Sequence, residues 1–96
     1  MCDDSEMASI DVAWASESTY RVTIADRGTT TTHVVTVGPQ DVERYAPGAE
    51  PERLIRASFE FLLEREPKES ILDRFELPVI ERYFPDYRSA VRDLLR

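Results

Sequence analysis

The chain has 96 residues, 42% of them hydrophobic and 32% charged, with a formal net charge of −7. That is the length of one domain, enough to bury a core without disulfide or metal staples. No run of 18 apolar residues is present, which excludes a membrane-spanning helix, and the single Cys2 excludes an internal disulfide.

The opening stretch MCDDSEMASIDV lacks the basic start and apolar middle of a secretory signal, so the expected location is the cytoplasm. Residues 1–8 are polar, acidic and aperiodic and are expected to be a disordered tail. Residues 1–18 carry Asp3, Asp4, Glu6, Asp11 and Glu17 and no basic side chain, so the acidity sits at the N-terminus and the rest is nearly neutral. An acidic segment of this kind mainly keeps a chain soluble. Cys2, beside two aspartates, is a poor thiolate and is read as inert.

From residue 9 onward a single α+β domain is expected. Ser9–Ala15 alternates, with Ile10, Val12 and Trp14 on one face, as in a half-buried strand. Thr19–Ala25 alternates more clearly, with Tyr20, Val22 and Ile24 together. Asp26-Arg27-Gly28 supplies turn chemistry, with Gly28 at a positive φ in a short, bulged hairpin loop. Thr31–Val37 returns with His33, Val35 and Val37 on one face and threonines on the other. Three strands joined by tight turns predict an antiparallel three-stranded meander with one wet face.

Gly38-Pro39 ends the sheet and opens a brief helical turn holding Val42 and Tyr45. Pro51 starts a long helix, and Leu54, Ile55, Ser58, Phe59, Leu62 and Leu63 mark its buried face. Pro67 closes it. Two short helices are expected over Ser70–Phe75 and Pro78–Tyr83. Tyr87, Val91, Leu94 and Leu95 then define an amphipathic C-terminal helix. The helical C-terminal half is expected to pack on one face of the sheet.

Little here carries chemistry. His33 is the only histidine and is read as a partly exposed strand residue near a loop, with a general base as the sharper alternative. A zinc site wants several Cys or His ligands, and Glu64, Glu66, Glu69 and Asp73 fit no calcium-loop spacing. No glycine-rich phosphate loop occurs. No catalytic residue, metal site or cofactor is therefore expected.

Two surfaces stand out instead. Phe61 falls off the main stripe of the long helix and, with Tyr83, Tyr87, Val91, Leu94 and Leu95, forms the candidate interface, since Tyr is favoured at interface hot spots. Arg88, Arg92 and Arg96 lie four residues apart as a candidate anion-binding stripe, interrupted by Asp93. No domain-wide basic footprint accompanies it, which makes nucleic acid the lesser expectation.

The segment REPKESILDRFELPVIERYFPDY, Arg65 to Tyr87, resembles the tail of a family of small prokaryotic proteins, a likeness that implies no activity. The meander followed by a helix is also similar to HicB-type antitoxins, whose small sheet-and-helix domain binds a toxin. Here Pro47-Gly48 is followed by Ala49 where that family's Pro-Gly-Cys segment would place a cysteine. The resemblance implies a binding protein. The sequence thus favours a non-catalytic protein-interaction module, a homodimer through a sheet edge or the last helix or a complex with a protein partner. A regulatory toxin partner or weak nucleic-acid-associated protein is the alternative, and a small enzyme using His33 the second.

Overall fold

The structure is a computed structural model that describes residues 9–95. The acidic tail expected over residues 1–8, Cys2 and Arg96 lie outside the described residues. Three antiparallel strands open the fold: β1 (Ser9–Ser16), β2 (Thr19–Asp26) and β3 (Thr29–Thr36). Then come α1 (Pro39–Tyr45), α2 (Pro51–Arg65) and a 3₁₀ turn at Lys68–Ser70. A fourth strand, β4 (Arg74–Glu76), precedes α3 (Val79–Tyr83) and α4 (Tyr87–Leu94).

The molecule is α+β, with strand order β1-β2-β3-β4. The meander is as the alternation predicts. β1 pairs with β2 of its own chain, from Ser9 opposite Ala25 to Ser16 opposite Thr19. Arg27 (φ 56°) and Gly28 (φ 81°) form the β2–β3 loop, and two successive positive φ values are the pattern of a type I′ turn. The expected bulge is not there: the β2–β3 register runs unbroken from Asp26–Thr29 to Thr19–Thr36. It falls in β1 instead, between Trp14 and Ser16, next to Glu17 at φ 48°.

Among the described residues the sheet has four strands, not three. The helix expected over Ser70–Phe75 is a 3₁₀ turn followed by β4, which runs parallel to β3 with Phe75 beside Val35. Ile71, Leu72 and Phe75 mimic helical spacing. The backbone chooses otherwise because β3 offers it a ladder: Val34 N–H donates to the Asp73 carbonyl at 2.7 Å, and Leu77 N–H to the Thr36 carbonyl at 3.0 Å.

Alternate residues of β2 and β3, Tyr20, Val22, Ile24, His33 and Val35, are buried, and join Leu54, Ile55, Phe59, Phe61 and Leu62 of α2 in one core. Burying a side chain of this size fully contributes about 1.5–3 kcal/mol. The Phe59 ring lies 5.7 Å from that of His33 and 5.9 Å from that of Phe75, which ties α2 to β3 and β4. Two turns explain how the chain enters its helices. Pro39 and Pro51 occupy first helical positions, and the Asp41 carboxylate accepts a hydrogen bond from Gly38 N–H at 2.9 Å. Among the described residues, no helix is long and apolar enough to cross a membrane.

Candidate functional site

The C-terminal aromatic group is the first place to look, and most of it is inside. Phe61 is buried between Phe84, edge-on at 5.8 Å, and Tyr87 at 5.5 Å. Tyr87 is fully buried, with its ring 5.0 Å from that of Tyr45, and Val91 is fully buried too. These three members of the expected interface lie buried in the core of the chain itself. The reason is that α2 is covered on a second side by α4, so a residue off its main stripe is still inside. Leu95 is half-buried against the same core, while Leu94 and Tyr83 remain exposed.

The hydroxyls of Tyr45 and Tyr87 both have hydrogen-bond partners. Ser58 Oγ donates to the Leu54 carbonyl at 2.7 Å, so the Tyr87 hydroxyl is the donor in its 2.6 Å contact with Ser58 Oγ. Burial pushes the Tyr87 phenol well above its ordinary value of 10.0. The Tyr45 hydroxyl donates to Glu81 at 2.8 Å, and its pKa is raised, chiefly by burial and then by that bond.

The arginine stripe is engaged within the chain. Arg88 sits 3.4 Å from a Glu81 carboxylate oxygen and lies over the Tyr45 ring at 5.6 Å. Arg92 donates to the Arg44 carbonyl at 3.3 Å. The shallow surface here is lined by Glu81, Arg88, Ser89, Arg92 and Asp93, a mixture of both signs. Arg96 lies outside the described residues.

His33 is not the partly exposed residue expected: its relative exposure is 1%. Its Nδ1 is 2.9 Å from the Leu72 carbonyl, which can only accept, so Nδ1 carries the hydrogen. Nε2, 2.8 Å from Thr31 Oγ1, then accepts from that hydroxyl in the neutral ring. Both ring nitrogens are thus committed, and the imidazole pins the segment leading into β4 onto β3. Lys68, the only lysine, plays a related part that its sequence did not signal. Its buried ammonium donates to the Asp26 carbonyl at 3.2 Å and pairs with Glu69 at 3.0 Å, tying the hairpin end to the 3₁₀ turn. Among the described residues, no three of His, Cys, Asp and Glu gather into a metal-binding group.

Two features stand out among the described residues. One is a hollow of ≈ 270 Å³ between Ile71, Leu72, Phe75, Ile80, Tyr83 and Phe84, with Tyr83 67% and Leu72 46% exposed on its rim. The other is the outer edge of β1, which no other strand covers among the described residues. Its geometry follows from the type I′ turn: Asp26–Thr29 closes the loop as a hydrogen-bonded pair, and such pairs alternate along an antiparallel ladder. The even residues of β2 therefore bond β3, and its odd residues bond β1. Ser9, Asp11 and Ala13, opposite those odd residues, are the β1 positions bonded to β2. Ile10, Val12 and Trp14 then point their N–H and C=O groups outward.

Two contacts agree with this phase. On β3, it directs the even residues toward β4, where Val34 N–H and the Thr36 carbonyl do bond. On β1, the Ile10 carbonyl is reached from outside by the Arg56 guanidinium of α2. At the far end of the edge Trp14 is 61% exposed, its indole N–H donating to the Glu17 carbonyl at 2.9 Å. Nothing but its place at the start of a meander, which makes β1 an edge strand, marks Trp14 in the sequence.

No protein-family model, curated protein or solved structure matches the chain.

Proposed function

We propose that this protein is a non-catalytic interaction module that takes a polypeptide strand onto the open edge of β1. The observation that carries this is the outward row of backbone groups at Ile10, Val12 and Trp14, ending in an exposed indole. An extended partner strand gains main-chain hydrogen bonds from such an edge and specificity from the side chains beside it. In this reading the helical half covers the sheet face bearing Tyr20, Val22, Ile24 and Val35, which are all buried. The opposite face, with Asp11, Arg21, Thr30, Thr32 and Arg74 exposed, stays wet. The sheet can then grow only at its edges. A regulatory role as the partner of a toxin would be one form of the same activity, in the cytoplasm.

The test is native mass spectrometry of the protein recovered gently from its own cells, with Val12→Pro alongside. Proline removes the outward N–H of residue 12 and no bond to β2. A second polypeptide or second copy held by the native chain and absent from Val12→Pro is the expected result. Identical partners on both would refute edge binding. A monomer carrying a small molecule would overturn the reading in favour of a ligand-binding role.

A further inference from the structure

We infer that the strand accepted by β1 is β1 of a second copy, paired antiparallel about a two-fold axis through Val12. This rests on the edge-binding reading above and names its partner. Antiparallel pairing of a strand with itself must keep the side chains of each face together, because a one-residue slip sends every side chain to the other face. That restricts the axis to a residue position. An axis on Asp11 sets Asp11 directly across from Asp11 of the second copy, and like charges so placed repel. An axis on Ala13 runs Ile10 onto Ser16, beyond the bulge that interrupts the strand.

An axis on Val12 has neither fault. Val12 faces Val12 and Ile10 faces Trp14, all residues whose N–H and C=O point outward, so each pair can exchange two hydrogen bonds. On the wet face Asp11 meets Ala13, with no like charges opposed, and the paired stretch from Ile10 to Trp14 ends before the bulge. On the other face the half-buried Ile10 and Val12 gain cover, and Trp14 of the second copy comes to rest beside Ile10. Arg56, whose guanidinium already sits at the Ile10 carbonyl, lies where that indole arrives, a cation–π partner for it. The Ile10 carbonyl has a second lone pair for the new strand. The edge is thus complementary to itself in hydrogen bonds, charge and shape, and two four-stranded sheets join into one.

Trp14 is the only tryptophan, so its emission reports the seam directly. The full chain is diluted from ~1 mM to ~1 μM, a range that brackets weak self-association, under reducing conditions that keep Cys2 from cross-linking. Emission is read beside sedimentation equilibrium. A dimer at high concentration whose indole emission shifts to the red on dilution is expected.

The register is read by charge exchange. Ala13→Glu sets a new carboxylate against Asp11 of the second copy, twice per dimer. Within its own sheet the same carboxylate lies opposite Arg21, so the monomer is spared while the dissociation constant of the dimer rises about tenfold. Asp11→Lys combined with Ala13→Glu restores the native dissociation constant. An axis on Ala13 predicts no restoration, because the two new carboxylates would still face each other. A chain monomeric at ~1 mM with invariant emission overturns the self-pairing, as does a dimer indifferent to all of these changes. If that monomeric chain, taken from its own cells, holds a different polypeptide that Val12→Pro releases, edge binding stands and only the identity of the partner fails.

Discussion

β1 runs for eight residues along one edge of the sheet with Asp11 as its only charged side chain, whereas β4 runs for three along the other and sets Arg74 and Glu76 on either side of Phe75. Short strands and flanking charge are how proteins keep a sheet edge from pairing with other chains. β4 is also anchored from within. His33 holds the Leu72 carbonyl just before it, and Phe75 packs on Phe59. β1 packs Ile10 and Val12 half-buried against the core on its inner side, and along its outer edge the Arg56 guanidinium reaches one carbonyl. Length and charge close one edge and leave the other uncovered among the described residues, which is why the proposed binding falls at β1 and not at the hollow beside β4.

The comparison breaks most visibly at Phe75. Phe75→Ala should destabilise the domain by about 3–5 kcal/mol in urea unfolding, since it empties a core position that joins β4 to α2. A cost under about 1 kcal/mol would show that β4 is an appendage.

Proline sharpens the contrast. Val34→Pro removes the N–H that bonds the Asp73 carbonyl and should cost at least about 1–3 kcal/mol, releasing β4. Val12→Pro removes an N–H that faces outward and should cost the monomer far less. Equal losses for the two variants would mean that the hydrogen-bond phase assigned to β1 is wrong.

At His33 the expected effect is smaller. His33→Leu keeps apolar bulk against Phe59 but leaves the Leu72 carbonyl without its donor, for a loss of about 1–3 kcal/mol. Amide exchange at Leu77 should accelerate with it, while the amides of β1 stay as they were.

The smallest effect belongs to Tyr87, on the closed side of the molecule. Its folded-state pKa is raised, so between the unfolded value near 10 and that raised value the folded chain holds a proton that the unfolded chain has lost. Stability is full below about pH 10 and falls as pH climbs beyond it. Tyr87→Phe should cost about 1 kcal/mol at neutral pH through the lost bond to Ser58, and make the alkaline loss shallower. An unchanged alkaline slope would remove burial of this phenol as its cause.

Much of the architecture was legible in local pattern. The period-two alternation of β2 and β3, the prolines at helix starts and the stripe of α2 each depend on neighbours in sequence, and each element formed where its pattern lay. The candidate site was less legible. Of the interface residues read from the C-terminal half, Phe61, Tyr87 and Val91 went inside, because an apolar stripe says that a face must be covered and not what covers it. Trp14 shows the reverse: its alternation assigned it to the inner face, and its position beyond the reach of the core leaves it exposed.

By itself the sequence determined an α+β chain with a meander and a helical second half, and made catalysis and metal chemistry poor expectations. Those follow from composition and short-range periodicity, which are set residue by residue. Only the tertiary structure decided that residues 74–76 become a strand beside β3 and that His33 and Lys68 are buried anchors. Each of these depends on which distant segment supplies the hydrogen-bond partner or the covering side chain: Asp73 for Val34, Leu72 for His33, Asp26 for Lys68. Such pairings cross tens of residues, and no local pattern encodes them.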